Sequence, residues 1–406
     1  MSLLNVAIIG AGPAGCLLAR LLHLNDISVT VFEAEPSFDA RSQGGTLDLH
    51  PKTGIAALKA AKLYDEFAKY ARFDVSAPTV SDKKAQPYFQ LPRMFASNPE
   101  IDRLELRQLL LWSLPDGMIR WNHRLERIDE NGNLHFAHGI EKQYNLIVGA
   151  DGAWSRVRAA ITSTEPEYSG LSGYNMSIPN AKEHAPKTYG LVNRGSLFAY
   201  SDGKSIMGQQ MGDRSIQVAV YSPQEESWAK EMRVKKPSRE DICQEYDDWA
   251  PELLEMVRKT EGDMRIMALY MLPVGTKWEL RRGVTLVGDA AHLMTPFAGE
   301  GVNLALEDAM KLAEAIIRTK DQDLQSQLDS VMLYEKELMD RGSKAQALTQ
   351  KLMELMFFTE GAPRETIQDW IIARASYDCD PRMRPFLYPF LVAGVYGFYS
   401  VFKWRI

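Results

Sequence analysis

Short apolar runs that end in glycine recur along the chain and set its frame. Val6-Ala7-Ile8-Ile9 has the length and composition of a buried strand, and Ala14 to Leu24 carries apolar residues at helical spacing. Val29-Thr30-Val31-Phe32 is β-branched and aromatic, so the first 35 residues predict a strand, a helix and a second strand. The same strand signature returns at Tyr144-Asn145-Leu146-Ile147-Val148-Gly149 and at Gly283-Val284-Thr285-Leu286-Val287-Gly288. Both runs end in a Gly followed shortly by Asp, the layout expected where parallel strands deliver loops to a ligand at their carboxyl ends. Between them, from about Tyr168 to Leu280, short alternating strands such as Ser215–Tyr221 are punctuated by Gly, Pro and Ser. They predict a second, sheet-containing domain. From Val302 to Phe358 the spacing turns helical, which predicts one helix leaving the ligand site and then a long one.

Composition narrows the classes. The chain has 406 residues, 45% hydrophobic and 25% charged, within the ordinary globular range. Its 47 Lys+Arg against 53 Asp+Glu give a net charge of −6, so no basic field exists to hold nucleic acid, and a small-molecule partner is expected. Cys16, Cys243 and Cys379 are odd in number and far apart, fitting neither a disulfide framework nor a metal site. The first residues lack a charged leader and a cleavage site, and run straight into a glycine motif. A cytoplasmic location is the expectation.

Gly10-Ala11-Gly12-Pro13-Ala14-Gly15 opens the first helix, and Glu33 closes the second strand. Gly10 permits the tight turn, Gly12 lets the backbone approach a pyrophosphate, Gly15 allows close helix and strand packing, and Glu33 can accept from ribose hydroxyls. A phosphate can then sit on the helix N-terminus. The motif alone leaves FAD and NAD both open.

Two later constellations extend the pattern: Gly149-Ala150-Asp151-Gly152-Ala153-Trp154-Ser155-Arg156-Val157-Arg158, and Gly288-Asp289-Ala290-Ala291-His292 running on through Pro296-Phe297-Ala298-Gly299-Glu300-Gly301-Val302-Asn303. With them the chain resembles the single-component, p-hydroxybenzoate hydroxylase-like FAD monooxygenases across about residues 4 to 350. The resemblance implies that Asp151 and Gly152 help bind FAD and the reduced nicotinamide nucleotide, and that Asp289 contacts FAD. It also implies that the loop bearing Pro296, Gly299, Gly301, Val302 and Asn303 flanks the isoalloxazine ring. The positive dipole end of the helix that follows would face the electron-rich edge of the flavin. His292 is expected to be a core residue without a paired acid, and no catalytic residue is assigned.

A narrower resemblance lies in Arg41-Ser42-Gln43-Gly44-Gly45-Thr46-Leu47-Asp48-Leu49-His50, similar to the corresponding loop of the tetracycline-inactivating flavin monooxygenases. It implies that Arg41 contacts the NADPH phosphate region, Asp48 the flavin and Arg107 the FAD. Asn175, Ser196 and Gln217 stand where that subgroup recognises tetracycline, and none keeps its residue type. They line a pocket for a different oxygenated ligand or face solvent from a strand.

The fold class expected is therefore α/β. It comprises a discontinuous Rossmann-like FAD-binding domain (1–75, 100–167 and 281–320), an inserted α+β substrate domain over a mixed sheet (76–99 and 168–280), and a C-terminal helical segment (321–406). Implied cofactors are FAD and NADPH or NADH, with O2 as co-substrate. The resemblance implies that NAD(P)H reduces FAD, O2 forms a C4a-hydroperoxide, and its distal oxygen enters an aromatic, phenolic, enolic or polyketide-like (tetracycline-like) molecule. A closed, dry pocket is a requirement of that chemistry. The rivals are a flavin-dependent reductase or dehydrogenase of the same fold, and a flavin-containing binding protein without turnover.

The end of the chain stands apart. Residues 385–402, PFLYPFLVAGVYGFYSVF, hold no charge and are dense in aromatics, with Lys403 and Arg405 following. Three readings compete: packing on the enzyme itself or on a second copy, peripheral membrane contact, and a membrane span that the internal prolines and glycines disfavour.

Overall fold

The computed structural model describes residues 4–40, 44–76, 78–90, 98–380 and 382–405, and the chain divides into two compact units. The first unit is Met1–Arg72, Asn98–Glu167 and Tyr270–Ala347. Its centre is a five-stranded sheet in the order Val284–Leu286, Leu146–Gly149, Asn5–Ile9, Ser28–Phe32, Ile119–Arg120, parallel throughout. Parallel strands are covered on both faces, which is why these segments read as unbroken apolar runs. Ile9 pairs with Gly149 and Gly149 with Leu286, so three strands distant in sequence end level with one another. The turns that follow them emerge together at the carboxyl edge. The helix Pro13–His23 packs on the 18-residue helix Gly301–Arg318 over this edge. Ile8, Leu17, Phe32, Val148, Leu286 and Leu312 belong to one continuous core.

The second unit is Phe73–Ser97, Tyr168–Leu269 and Leu348–Ile406. It holds a seven-stranded mixed sheet in the order Glu261–Met271, Glu167–Ile178, Ile216–Pro223, Lys204–Gln210, Ser196–Ser201, Thr79–Ser81, Pro87–Gln90. Only the pairing of Ser196–Ser201 with Thr79–Ser81 is parallel among the registers described. One face of the sheet, with Tyr174, Met176, Val218, Val220, Leu197 and Ile206, packs beneath short helices that carry Ile242, Leu253 and Val257.

The unit boundaries depart from the expected ones in two places. The chain returns to the first unit at Tyr270 rather than 281, because the strand Glu261–Met271 itself carries it across and no breaker residue marks the point. The segment 321–406 is not a third piece. Its long helix, Leu324–Phe357, places Val331, Tyr334 and Leu338 in the first core, and the division falls within the helix at 347/348, where nothing in the sequence interrupts it. The tail is a single helix, Arg384–Arg405, despite Pro389. That proline sits little more than one turn from the start, where it removes one hydrogen bond at the most frayed end.

Candidate active site

The glycine turn is built as its spacing demands. Gly10 has φ +108°, and a Cβ there would lie 2.3 Å from the Ala150 carbonyl oxygen. A Cβ on Gly15 would lie 2.1 Å from the Gly10 carbonyl oxygen. Gly12 is different: its Cβ position meets nothing within 4 Å, and it caps the helix with no side-chain hydrogen bond, Pro13 occupying the first turn. Two glycines are needed for packing, and the third leaves an open cradle at a positive helix end, with Ala14 next in the turn.

Glu33 closes the cradle. Its Oε2 accepts from the Ala11 N–H at 2.7 Å and its Oε1 from the Glu35 N–H at 2.9 Å, which fixes the carboxylate at the end of its strand. Arg107, expected at the FAD, is 2% exposed; its Nη2 donates to Glu35 Oε2 at 2.5 Å and its Nη1 to the Phe38 carbonyl at 3.2 Å. It holds the loop after Glu33. Cys16, beneath the turn, has its thiol pushed up to about 12, first by burial and then by Glu33, so it is an inert core residue.

At the neighbouring strand end Asp151 folds its own loop. Its Oδ1 accepts from Ser155 Oγ at 2.5 Å and its Oδ2 from the Arg156 N–H at 2.7 Å; burial outweighs these bonds and raises its pKa. Gly152 follows with φ +77°. The buried Arg158 then joins this loop to the third strand end, donating to the Ala153 carbonyl at 2.7 Å and the Ala290 carbonyl at 3.1 Å. Asp289 is exposed there, after Gly288 at φ +61°.

His292 is buried as expected but has an acid partner, which corrects the sequence reading. Its Nε2 lies 2.5 Å from Asp308 Oδ2, the same oxygen accepts from the Gly288 N–H at 3.1 Å, and Arg341 Nη2 donates to Asp308 Oδ1 at 3.1 Å. Asp308 is fully buried. A signal existed: Asp308 falls between Leu304 and Leu312 on the buried stripe of its helix, where a charge needs partners.

The loop Pro296–Ala298 and Gly299, at φ +69°, lead into the Gly301 helix, and a Cβ on Gly301 would again meet nothing within 4 Å. Val302 is half-buried in the first turn. Asn303 is fully buried and ties this helix to the Asp48 loop, donating to the Asp48 carbonyl at 2.9 Å and accepting from the His50 N–H at 2.8 Å. His50 Nε2 lies 3.0 Å from Asp48 Oδ2. Burial opposes ionisation of Asp48, but the hydrogen bond and charge of His50 hold its pKa below the usual value. Arg41 lies outside the described residues.

In the second unit the three expected substrate residues share one sheet face. Ser177 pairs with Gln217, Gln217 with Gln209 and Gln209 with Ser196, forming a polar row across four strands. Gln217 Nε2 donates to Ser177 Oγ at 3.2 Å, and Gln209 Nε2 to Ser196 Oγ at 3.3 Å. Asn175 stands one row along, in register with Ala219, which pairs with Met207 and through it with Phe198. Its Oδ1 accepts from Tyr221 Oη at 3.2 Å. Gln209 and Tyr221 were not anticipated; only the register shows that they belong to this face.

The residues present in the first unit fit a dinucleotide. Gly12 and Gly301 leave two helix starts clear for phosphate and for an electron-rich ring edge, and Glu33, Asp151 and Asp289 supply carboxylates at three strand ends on one edge of the sheet, with Asn5–Ile9 between the strand of Glu33 and that of Asp151. The FAD binding domain family matches residues 119–356, and the NAD(P)-binding Rossmann-like domain family matches residues 8–66. Monooxygenase penA of Penicillium thymicola is 31% identical over 419 residues, covering 88% of this chain and 96% of that one. Among solved structures, a salicylate hydroxylase substrate complex superposes with a TM-score of 0.75 at 18% identity, over 97% of each chain. Tetracycline destructase Tet(51) gives 0.68 at 20% identity, over 92% of this chain and 97% of that one. These two likenesses are of fold.

Proposed function

Since the chain belongs to the FAD-dependent monooxygenases, which draw electrons from NAD(P)H and one oxygen atom from O2, we propose that it hydroxylates a small aromatic, phenolic, enolic or polyketide-like molecule held on the Asn175–Gln217 face of its second unit. What carries this reading is that face. A row of amide and hydroxyl groups (Ser177, Gln217, Gln209, Ser196) runs beside Phe198, Met207 and Tyr221, which suits a flat molecule bearing several oxygens. The side chains of this row carry no charge, which suits a neutral substrate.

Bound FAD would supply hydride acceptance and oxygen activation. The chain's own residues hold it: the Gly12 turn against the pyrophosphate, Glu33 at a ribose, Asp289 at the ribityl hydroxyls, and the Pro296–Asn303 loop at the ring. Asp48 and Asn303 brace that loop from the other side. Arg107 acts through Glu35, and Asp151 and Gly152 shape the loop shared with the nicotinamide nucleotide. Arg41 is assigned the phosphate of NADPH. Free cysteines throughout the described chain suit a cytoplasmic enzyme, and the apolar last helix is read as a contact surface for lipid or a second copy.

The test is direct. The protein should purify yellow with about one FAD per chain. NAD(P)H oxidation is then followed against a panel of neutral phenols and enols, with mass detection of products one oxygen heavier. Oxidation that yields only H2O2 across the panel would place the chain with flavin reductases. Gln217→Leu should raise KM for a substrate while leaving FAD content unchanged, since the two sites share no residue.

A further inference from the structure

We propose that the helix Arg384–Arg405 lies in the plane of an anionic lipid surface without crossing it, a step that rests on reading this helix as a contact surface and fixes its partner and geometry. An 18-residue window within Arg384–Trp404 has a mean hydropathy of 1.4, and only 6% of that window is buried. Phe386 is 71% exposed, Phe390 79% and Trp404 86%, with Leu387, Tyr388, Phe398 and Val401 also open. Water-soluble surfaces rarely carry an apolar patch of that extent unless something covers it. No charge interrupts residues 385–402, so the exposed sides have no polar stripe suited to water.

Hydrogen bonds decide the geometry. Tyr396 Oη donates to Asp369 Oδ1 at 2.6 Å, Tyr399 Oη to the Tyr88 carbonyl at 2.5 Å, and Arg364 Nη2 to the Lys403 carbonyl at 2.6 Å, while Lys403 Nζ lies 3.2 Å from Glu365. All of these partners belong to the helix's own unit. A helix that crossed a bilayer would drag Asp369, Glu365 and Arg364 into hydrocarbon or break every one of these bonds. Lying flat keeps them in the headgroup layer. The exposed aromatics then enter the boundary between headgroups and acyl chains, where such rings concentrate.

Charge selects the lipid. Residues 380–406 carry Arg382, Arg384, Lys403 and Arg405; Arg382 pairs with Asp380 and Lys403 with Glu365, which leaves Arg384 and Arg405 as the basic excess in a chain whose net charge is −6. Arg384 and Arg405 are the first and last residues of the helix, where an in-plane orientation brings both to anionic headgroups at once. An apolar cavity of about 440 Å³, lined by Tyr88, Phe89, Ile371, Phe398 and Phe402, opens alongside and gives an acyl chain room to follow. A second copy of this chain would meet the same surplus of positive charge at its own helix.

Flotation of the full-length, FAD-loaded protein with phosphatidylcholine vesicles, with and without phosphatidylglycerol, tests this. Binding should require phosphatidylglycerol, weaken with salt and be released by alkaline carbonate. Phe386→Glu combined with Phe390→Glu removes no described packing and should weaken binding at least about tenfold. Retention through carbonate would make the helix a span and overturn the proposal. So would absence of vesicle binding, whether the protein stays monomeric or forms a dimer that the double variant dissociates in sedimentation. FAD content and NAD(P)H oxidation measured in solution on the same samples keep the outcomes apart, because their loss would concern the active site alone.

Discussion

His292 and Asp308 form a buried pair, Nε2 to Oδ2 at 2.5 Å with side chains 3% and 0% exposed, directly behind the turn that presents Asp289. The same carboxylate receives the Gly288 N–H and the Arg341 guanidinium, so the strand end and two helices converge on one acceptor. Removing one partner from such a cluster leaves an uncompensated buried charge. Asp308→Asn should therefore destabilise the apo-protein by about 3–5 kcal/mol. FAD affinity should fall with it, because the Gly288 turn loses its anchor. Urea melts and FAD titration measure both, and wild-type behaviour in both would reduce the cluster to surplus packing.

The same pair predicts a pH dependence. Burial alone would lower the His292 pKa, but the charge and hydrogen bond of Asp308 outweigh it and hold the pKa above 6.5. A folded-state pKa raised above the unfolded value gives stability that is full below about 6.5 and is lost as pH rises through the raised value. Unfolding free energy of the wild type should accordingly decline on the alkaline side of 6.5 more than that of Asp308→Asn. Parallel pH profiles for the two proteins would show that His292 does not carry the charge.

Two glycines two positions apart should behave oppositely. Gly10→Ala places a methyl 2.3 Å from the Ala150 carbonyl oxygen at φ +108° and should cost the apo-protein more than about 1–3 kcal/mol, the strain alone. Gly12→Ala meets nothing within 4 Å at φ −76° and should leave the apo melting point unchanged. Its methyl points into the space assigned to the pyrophosphate, so FAD affinity should drop at least about tenfold, 1.4 kcal/mol. Normal FAD binding by Gly12→Ala would move the phosphate site elsewhere.

The two arginines separate in the same way. Arg41→Ala should raise KM for NADPH with kcat and FAD content little altered, the signature of binding lost equally in ground and transition states. High salt should mimic it. Arg107→Ala breaks the buried contact with Glu35 and should destabilise the fold by about 3–5 kcal/mol before it affects turnover. Steady-state kinetics and melting curves distinguish them; FAD loss from Arg41→Ala would relocate that residue to the flavin.

The sequence by itself determined the nucleotide unit, because its signals are local. A glycine with positive φ, a helix start without a Cβ in the way and an apolar strand are each properties of a few adjacent residues, and Gly10, Gly12, Gly15 and the runs ending at Gly149 and Gly288 announce them. The resemblance also named Asn175, Ser196 and Gln217, but not Ser177 or Gln209, nor that Ser177, Gln217, Gln209 and Ser196 form one row, since register is set by pairing across strands far apart in the chain. Only the tertiary structure gave His292 its acid 16 residues away and showed Glu35 as a partner of Arg107. It likewise turned an ambiguous apolar tail into a helix tied along one side and open along the other. Burial and hydrogen-bond partnership are decided by what folds against a side chain, and that information lies in the rest of the molecule.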